Sequence, residues 1–179
     1  MNKYISLSFF IFLFSQNCFA KYFVEPHGAF ILSGSSSSSS SSYTGPTYGA
    51  KFGYYEKEYG FNYGVDLTRS TYSYASQTSA SAQFTKNDLG VFLGYNSQNR
   101  YRFWLGGYYT KSTVGSDYNS TGHTYEFGAG YSVSQKVSLN AYYRLPTFTK
   151  YTSSGKTYNI SSSGSLSEIA VGVSFPLEM

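Results

Sequence analysis

The sequence predicts an all-β protein, an eight-stranded antiparallel up-and-down transmembrane β-barrel preceded by a cleaved signal peptide. Three observations predict this class. Apolar and polar residues alternate with a period of two along eight segments. Short turns and long polar connections strictly alternate between those segments. Aromatic residues and glycine are abundant, with 21 Tyr, 15 Phe and 18 Gly, whereas charged residues make up only 12% of the chain.

The opening stretch, MNKYISLSFFIFLFSQNCFA, has the layout of a secretory signal peptide. Lys3 provides a positive start, an apolar run follows it, and a small residue, Ala20, precedes the expected cleavage site. The apolar run is shorter than the ~20 residues that a membrane-spanning helix requires. We therefore predict a signal peptide over residues 1–20 and one barrel domain over residues 21–179.

Composition excludes several classes of function. The single cysteine, Cys18, is lost with the signal peptide, so the mature chain has no disulfide and no thiolate for catalysis or metal binding. Two histidines far apart in sequence do not suggest a metal ion, and we predict neither a metal site nor a cofactor. Without Lys3, 12 of the 13 basic residues remain against 9 acidic ones. They form no basic run, so nucleic-acid binding has no support.

Each predicted strand has one apolar face. In NDLGVFLGYN, for example, Leu89, Val91 and Leu93 share a face that Asp88 does not. The first strand alternates least regularly. In chain order the eight predicted strands are residues 22–32, 47–55, 59–70, 87–96, 100–109, 124–133, 137–145 and 167–177.

The connections indicate how these strands are arranged. Tight turns (EKE, NSQN and SQK) alternate with long segments rich in Ser, Thr and Gly, the first of which contains eight consecutive serines. A meander then has all its turns at one end and all its long loops at the other. A closed sheet pairs its backbone groups internally, as lipid requires, and turns one apolar face outward. We expect the serine run to be a flexible loop tip with its ends one strand spacing apart.

This pattern resembles the small eight-stranded outer-membrane barrels of the OmpA/OmpX type. The final GVSFPL is similar to the C-terminal signal read by the barrel-assembly machinery, with Gly172, Phe175 and Leu177 in matching positions, although Pro176 and the last two residues depart from it. The resemblance implies a monomer in the outer membrane of a Gram-negative bacterium. It also implies two partners, the membrane lipid and the assembly machinery.

Several charged residues fall on the lumen-facing side of the predicted strands. Facing lipid at the membrane centre, Arg or Lys would cost ~2–4 kcal/mol, and the lumen of an eight-stranded barrel is filled by side chains. We therefore predict a buried, paired network, in which Glu126 lies opposite or nearly opposite Arg144. Because carboxylates outnumber cations, at least one should keep a proton or accept a tyrosine hydroxyl. A gate or proton-linked path is the functional alternative. The six residues are Lys51, Asp66, Asp88, Glu126, Arg144 and Glu168.

For function, the sequence favours a structural or surface-interaction role, in adhesion or envelope integrity, carried by four long extracellular loops on a rigid barrel. It leaves open a passive channel, a path for an apolar ligand, a lipid A-modifying enzyme, and a soluble lipocalin-like barrel. His123 lies at the outer rim, as in lipid A deacylases, but Tyr125 stands where their serine would be. His27 is expected to pair with Glu25 in the lumen, and we predict no catalysis.

Overall fold

The computed structural model describes residues 21–36, 39–55, 60–75, 83–115, 118–160 and 166–179. The predicted signal peptide and its cleavage after Ala20 lie outside these ranges. No helix in the described ranges is long and apolar enough to cross a membrane. Ten strands form one sheet: β1 (Lys21–Ser36), β2 (Ser39–Tyr55), β3 (Gly60–Ala75), β4 (Gln83–Asn96), β5 (Tyr101–Val114), β6 (Tyr118–Ser134), β7 (Val137–Ser153), β8 (Lys156–Asn159), β9 (Leu166–Ser174) and β10 (Leu177–Glu178).

The sheet closes into a ring of eight barrel strands. Consecutive strands pair antiparallel from β1 to β7, and β9 pairs with both β7 and β1. β8 continues the hairpin that starts in β7, and β10 resumes the last barrel strand along β1. The prediction of an eight-stranded antiparallel up-and-down barrel is confirmed.

The last barrel strand is interrupted between β9 and β10, at Phe175 and Pro176. The interruption lies beside Pro26 of β1, whose carbonyl accepts the Phe175 N–H at 2.9 Å. Proline has no N–H to donate to a neighbouring strand, so regular pairing stops there and resumes at Leu177, opposite Val24. Pro26 is thus accommodated within the first barrel strand at the seam where the ring closes.

Apolar side chains point outward from the barrel. On β4, Leu89, Val91 and Leu93 are 54%, 63% and 52% exposed, whereas Asp88 and Phe92 face the lumen and are buried. A lipocalin-type barrel needs the opposite arrangement, with its apolar face inside, so that alternative is wrong. The outward apolar face is the one that lipid covers in a transmembrane barrel.

Aromatic rings form a belt on the outer wall near the short turns. Tyr22 packs against Tyr54 with ring centroids 5.8 Å apart, and Phe61 packs against Tyr95 at 5.4 Å. Further round the barrel, Tyr101 and Tyr131 approach to 5.5 Å. Belts of this kind are typical of the boundary between the membrane and water.

At the opposite end, which we call the hairpin end, the strands continue well into the segments predicted as loops. β1 and β2 remain paired through Ser35 and Ser42 as far as Ser36 and Ser39. The prediction of a loop is therefore wrong for most of the serine run, which is strand, and residues 37–38 at its centre lie outside the described ranges. Backbone hydrogen bonds extend a ladder whatever the side chains are, and β1 also pairs here with β9, at Ser167.

Two more predicted loops are largely hairpin. β5 and β6 pair up to Val114 and Tyr118, and β7 and β8 pair up to Ser153 and Lys156. The connection between β3 and β4, residues 76–82, lies outside the described ranges. The hairpin end therefore carries paired strands that project beyond the apolar wall at three of the four places where long loops were expected.

Candidate functional site

The six predicted lumen charges are all buried, with between 0% and 4% of each side chain exposed. Two of them form a direct ion pair with each other. Glu126 and Arg144 lie opposite one another in the register of β6 and β7, and Arg144 Nε donates to Glu126 Oε2 at 2.5 Å. The other four contact residues that the sequence analysis did not name.

Glu126 is also the centre of a wider group of hydrogen bonds. Trp104 Nε1 donates to its Oε1 at 2.6 Å, and the Tyr108 hydroxyl lies 3.2 Å from the same oxygen and 3.0 Å from Asp66 Oδ2. The expectation that a carboxylate accepts a tyrosine hydroxyl is confirmed here. Lys51 Nζ rests over the Trp104 ring, 4.0 Å from its centroid, and therefore interacts with aromatic faces.

A second group lies toward the hairpin end around Glu168. Lys86 Nζ donates to both carboxylate oxygens at 2.8 Å, and the hydroxyls of Tyr43 and Tyr72 donate to Oε1 at 3.1 and 3.0 Å. Lys86 also lies 3.5 Å from Asp88 Oδ2. Lys86 was missed because the fourth strand was predicted to begin after it. It lies two residues before Asp88, so extending the alternation backwards would have found it.

A third group lies toward the short turns. Arg102 donates to Glu25 through Nη1 at 2.8 Å and Nη2 at 2.6 Å, and its Nη1 also reaches Ser138 Oγ at 3.0 Å. The expected pair between His27 and Glu25 is wrong. A guanidinium matches both oxygens of a carboxylate, which an imidazole cannot do. His27 Nε2 lies instead 3.4 Å from Thr68 Oγ1 and 3.9 Å from an Asp66 oxygen.

Adding Lys86, Arg102 and Glu25 reduces the excess of carboxylates over cations from two to one. The described lumen holds five buried carboxylates against four buried cations, in addition to His27. The ring cluster of Phe23, Tyr55 and Phe92 fills part of the interior as well. The arrangement can hold opposite walls of the barrel together. Its buried charges are Glu25, Asp66, Asp88, Glu126 and Glu168, with Lys51, Lys86, Arg102 and Arg144.

His123 is the residue at the outer rim that the sequence offered for lipid A chemistry. His123 packs edge-on against Tyr125, with ring centroids 5.3 Å apart. Within the ranges that the structure describes, no three His, Cys, Asp or Glu side chains are grouped closely enough to hold a metal ion.

The predicted assembly-signal residues lie on the last barrel strand. Phe175, inside the interruption of that strand, and Leu177, directly after it, point outward and are 45% and 48% exposed. Gly172 lies opposite Ala29 of β1, and a Cβ at Gly172 would come within 2.4 Å of the Ala29 Cβ. A glycine therefore allows the close approach of the last and first strands at the seam.

The hairpin of β7 and β8 presents an aromatic and basic surface. Tyr151 and Tyr158 stack with ring centroids 5.0 Å apart and an interplanar angle of 19°, and they are 39% and 44% exposed. Lys150 and Lys156 are exposed beside them. Sequence reasoning placed this segment in a loop, so it did not predict that cross-strand pairing brings the two rings together.

No family model matches the sequence, and no curated protein matches it significantly. Solved structures do match. Neisserial surface protein A is similar, with 21% identity and a TM-score of 0.55, over 87% of this chain and 97% of that chain. Ail, the attachment invasion locus protein of Yersinia pestis, crystallised with the heparin analogue sucrose octasulfate, has 8% identity and a TM-score of 0.56, over 88% and 99%. The chain thus has the fold of the small eight-stranded outer-membrane β-barrels, and the OmpA/OmpX-like resemblance is confirmed at the level of the fold.

Proposed function

We propose that this protein is a monomeric, integral outer-membrane protein of a Gram-negative bacterium with a surface-interaction and envelope-supporting role. In this proposal residues 1–20 direct export and are removed after Ala20. The barrel-assembly machinery then inserts the domain of residues 21–179, reading Gly172, Phe175 and Leu177. The hairpin end faces outside the cell, and the barrel performs no catalysis. The outward apolar wall and the aromatic belt support the membrane location.

One observation carries the surface role: the hairpin of β7 and β8 extends beyond the apolar wall and exposes a stacked tyrosine pair. Tyr151 and Tyr158 are held in place by four paired positions, from Lys150–Asn159 to Ser153–Lys156. Tyrosine provides a rigid amphipathic surface at a low cost in conformational entropy, and it is common in recognition surfaces. A rigid hairpin that carries such a pair is suited to contact a partner outside the membrane.

The charge of this hairpin suggests an anionic partner. Lys156 shares the face of the tyrosine pair and Lys150 directly precedes Tyr151, and neither lysine forms an ion pair with another described residue. Ail, one of the similar structures, was crystallised with a sulfated sugar, the heparin analogue sucrose octasulfate. A sulfated polysaccharide on a host or neighbouring cell is therefore the partner to test first.

The buried charge network supports a closed scaffold more than a channel. Arg102 and Glu25 join β5 to β1, and Lys86 and Glu168 join β4 to β9 across the interior. An ion would have to separate such pairs in order to pass, and breaking one leaves an uncompensated buried charge. The channel alternative predicts conductance in planar bilayers, whereas the scaffold predicts none above that of protein-free bilayers.

The experiment is display of the protein on a Gram-negative host, with adhesion of whole cells to a heparin-coated surface as the readout. We expect binding above that of cells without the protein. Tyr151→Ser with Tyr158→Ser should lower it severalfold, and Lys150→Gln with Lys156→Gln should make it weaker and less sensitive to salt. Tyr118→Ser, which removes an exposed tyrosine from the β5–β6 hairpin, is the matched control and should not change it.

Two results would contradict the proposal. Equal adhesion of the tyrosine double variant and the wild type would remove the hairpin from the interaction. Deletion of the gene with no change in either envelope permeability or surface binding would exclude the whole role.

A further inference from the structure

The outer wall of the barrel carries a groove of about 430 Å³ that spans β2 to β5. This recess in the outer wall provides a place for a ligand to lie against the barrel. Its size falls within the range of small-molecule sites, and it fits part of a larger molecule, such as a lipid headgroup. The side chains around it include Tyr48, Leu67, Arg69, Leu89, Tyr109 and Lys111.

One cross-strand row forms the polar edge of the groove. Tyr48 lies opposite Arg69, Arg69 lies opposite Asn87, and Asn87 lies opposite Lys111. All four side chains are exposed on the outer wall. Arg69 and Lys111 are therefore two strand spacings apart, about 10 Å between their backbones, with the Asn87 amide between them. Two long cationic side chains at that separation can converge on one phosphate group.

The groove becomes apolar toward the middle of the membrane. Leu67 and Leu89, one step below the polar row, are 46% and 54% exposed, and Val65 and Val91 continue the same track at 44% and 63%. Tyr48 and Tyr109 stand on its two sides, 54% and 59% exposed. Cations above an apolar track, with aromatic rings at the sides, match the division of a lipid into an anionic headgroup and an acyl chain.

The distribution of charge favours an anionic occupant. Four cations are exposed on the hairpin half of the described chain: Arg69, Lys111, Lys150 and Lys156. Among the described residues, the only exposed acidic side chain is that of Glu178, at the other end of the barrel, where it accepts a hydrogen bond from Lys21 at 2.9 Å. Asp88 also borders the groove, but its side chain is buried in the lumen and accepts the Thr110 hydroxyl at 2.7 Å.

The two groove cations, Arg69 and Lys111, lie at the depth in the membrane where lipid headgroups are expected. A lipid-facing Arg or Lys is costly at the membrane midplane and costs little near the interface. On the outward face of β3, Arg69 is the next residue after Leu67, where the apolar run ends. On the outward face of β5, Lys111 is likewise the next residue after Tyr109. Phosphates of the outer leaflet lie at this level, so they are the anions within reach of both side chains.

We propose that this groove binds the phosphorylated headgroup of an outer-leaflet lipid, with Arg69 and Lys111 on the phosphate. The first part of an acyl chain then lies along Leu67 and Leu89. The inference rests on the proposed outer-membrane location. It does not involve the tyrosine pair of the β7–β8 hairpin.

The test measures lipid binding to the purified mature chain, refolded in detergent, by native mass spectrometry. The probes are diphosphorylated lipid A, the dephosphorylated lipid with the same acyl chains, and inorganic phosphate as a competitor. We expect the diphosphorylated lipid to bind more tightly than the dephosphorylated one. Arg69→Gln with Lys111→Gln should raise its apparent Kd about twenty-five-fold, since each cation near a membrane surface contributes about a fivefold change in affinity.

The matched control is Arg100→Gln with Lys136→Gln, which removes two exposed cations at the short turns, outside both the groove and the β7–β8 hairpin. It should bind within about twofold of the wild type, and inorganic phosphate at the lipid concentration should displace nothing. All four positions are exposed, and a shift in gel mobility on heating verifies that each variant is folded.

Four outcomes would overturn the proposal: wild-type binding by the groove variant, equal weakening by both double variants, equal affinity for both lipids, or displacement by inorganic phosphate. Failure here is distinguishable from failure of the surface role. Groove variants should keep hairpin-dependent adhesion, and tyrosine variants should keep lipid binding.

Discussion

Arg102 and Glu25 join opposite sides of the barrel. They belong to β5 and β1, which lie four positions apart in a ring of eight strands, and the two guanidinium nitrogens meet the two carboxylate oxygens at 2.8 and 2.6 Å. The paired geometry fixes both the distance and the orientation of the two walls. This contact therefore acts as a brace across the lumen near the short turns.

Removing one partner of this brace should destabilise the barrel. Arg102→Gln leaves the Glu25 carboxylate buried without its cation, and breaking a buried pair in this way costs about 3–5 kcal/mol. We expect the free energy of unfolding in urea to decrease by that amount. The measurement is the loss of the folded band on unheated gels as the urea concentration rises.

Arg100→Gln is the control for this prediction. Arg100 lies two residues earlier, is exposed on the turn and forms no ion pair among the described residues. Its substitution should change the free energy of unfolding by no more than about 0.5 kcal/mol. Equal effects at both positions would mean that the brace contributes nothing specific.

The pair of Glu126 and Arg144 should show coupling in a double-mutant cycle. Arg144→Met removes the cation from a buried carboxylate and should cost about 3–5 kcal/mol in the free energy of unfolding. Glu126→Gln with Arg144→Met removes both charges and should recover part of this loss, because Gln can still accept from Trp104 Nε1, which lies 2.6 Å from Glu126. Additive losses in the double variant would contradict a direct pair.

The periodicity of the sequence was sufficient to predict which residues face the lumen. Asp66, Glu126 and Arg144 are inward because alternate residues of a strand share a face, and a charge on the other face would meet lipid. The register of β6 and β7 followed from their short turn, which is why the pairing of Glu126 with Arg144 could be predicted.

Partners that cross the lumen could not be predicted in this way. Glu25 and Arg102 are 77 residues apart and lie on strands that do not touch. Their meeting depends on the shear and diameter of the closed ring, which alternation within a strand does not specify. The loop prediction for the serine run was wrong for a different reason. Composition describes the conformational freedom of an isolated segment, but in the barrel the neighbouring strands supply backbone hydrogen-bond partners that hold most of the run as strand.

A methyl group at Gly128 should displace the tryptophan in the lumen. A Cβ at this position would lie 1.9 Å from Trp104 Cε2, and the indole is held by its hydrogen bond to Glu126. Gly128→Ala should therefore lower the free energy of unfolding by about 1–3 kcal/mol, the usual effect of overpacking. Because Trp104 is the only tryptophan, its fluorescence emission should shift as well.

Gly107→Ala provides the matched control. Gly107 faces outward on β5, and a Cβ there would have no atom within 4 Å. Neither the emission maximum nor the stability should change by more than the error of measurement. An unchanged emission spectrum in Gly128→Ala would show that the indole does not occupy the position described.

The serine run should be dispensable for folding even though it is largely strand. Deleting residues 37–40, with Ser36→Asn and Ser41→Gly, leaves a two-residue turn between the paired Ser35 and Ser42, in a sequence suited to a hairpin. Its ladder lies beyond the apolar wall, where water can replace lost backbone partners, so the free energy of unfolding should change by no more than about 1 kcal/mol.

A deletion of the same length in β7 tests whether position, and not length, decides this result. Removing residues 139–142 preserves the alternation of the strand but takes Tyr142 out of the buried cluster with Trp104 and shortens a membrane-crossing segment. We expect no folded band on unheated gels for that variant and a normal one for the serine deletion. β1 pairs with β9 as far as Ser36, which lies opposite Leu166 beyond the apolar wall. Loss of the folded band in the serine deletion would mean that closure of the barrel needs this outer part of the ladder.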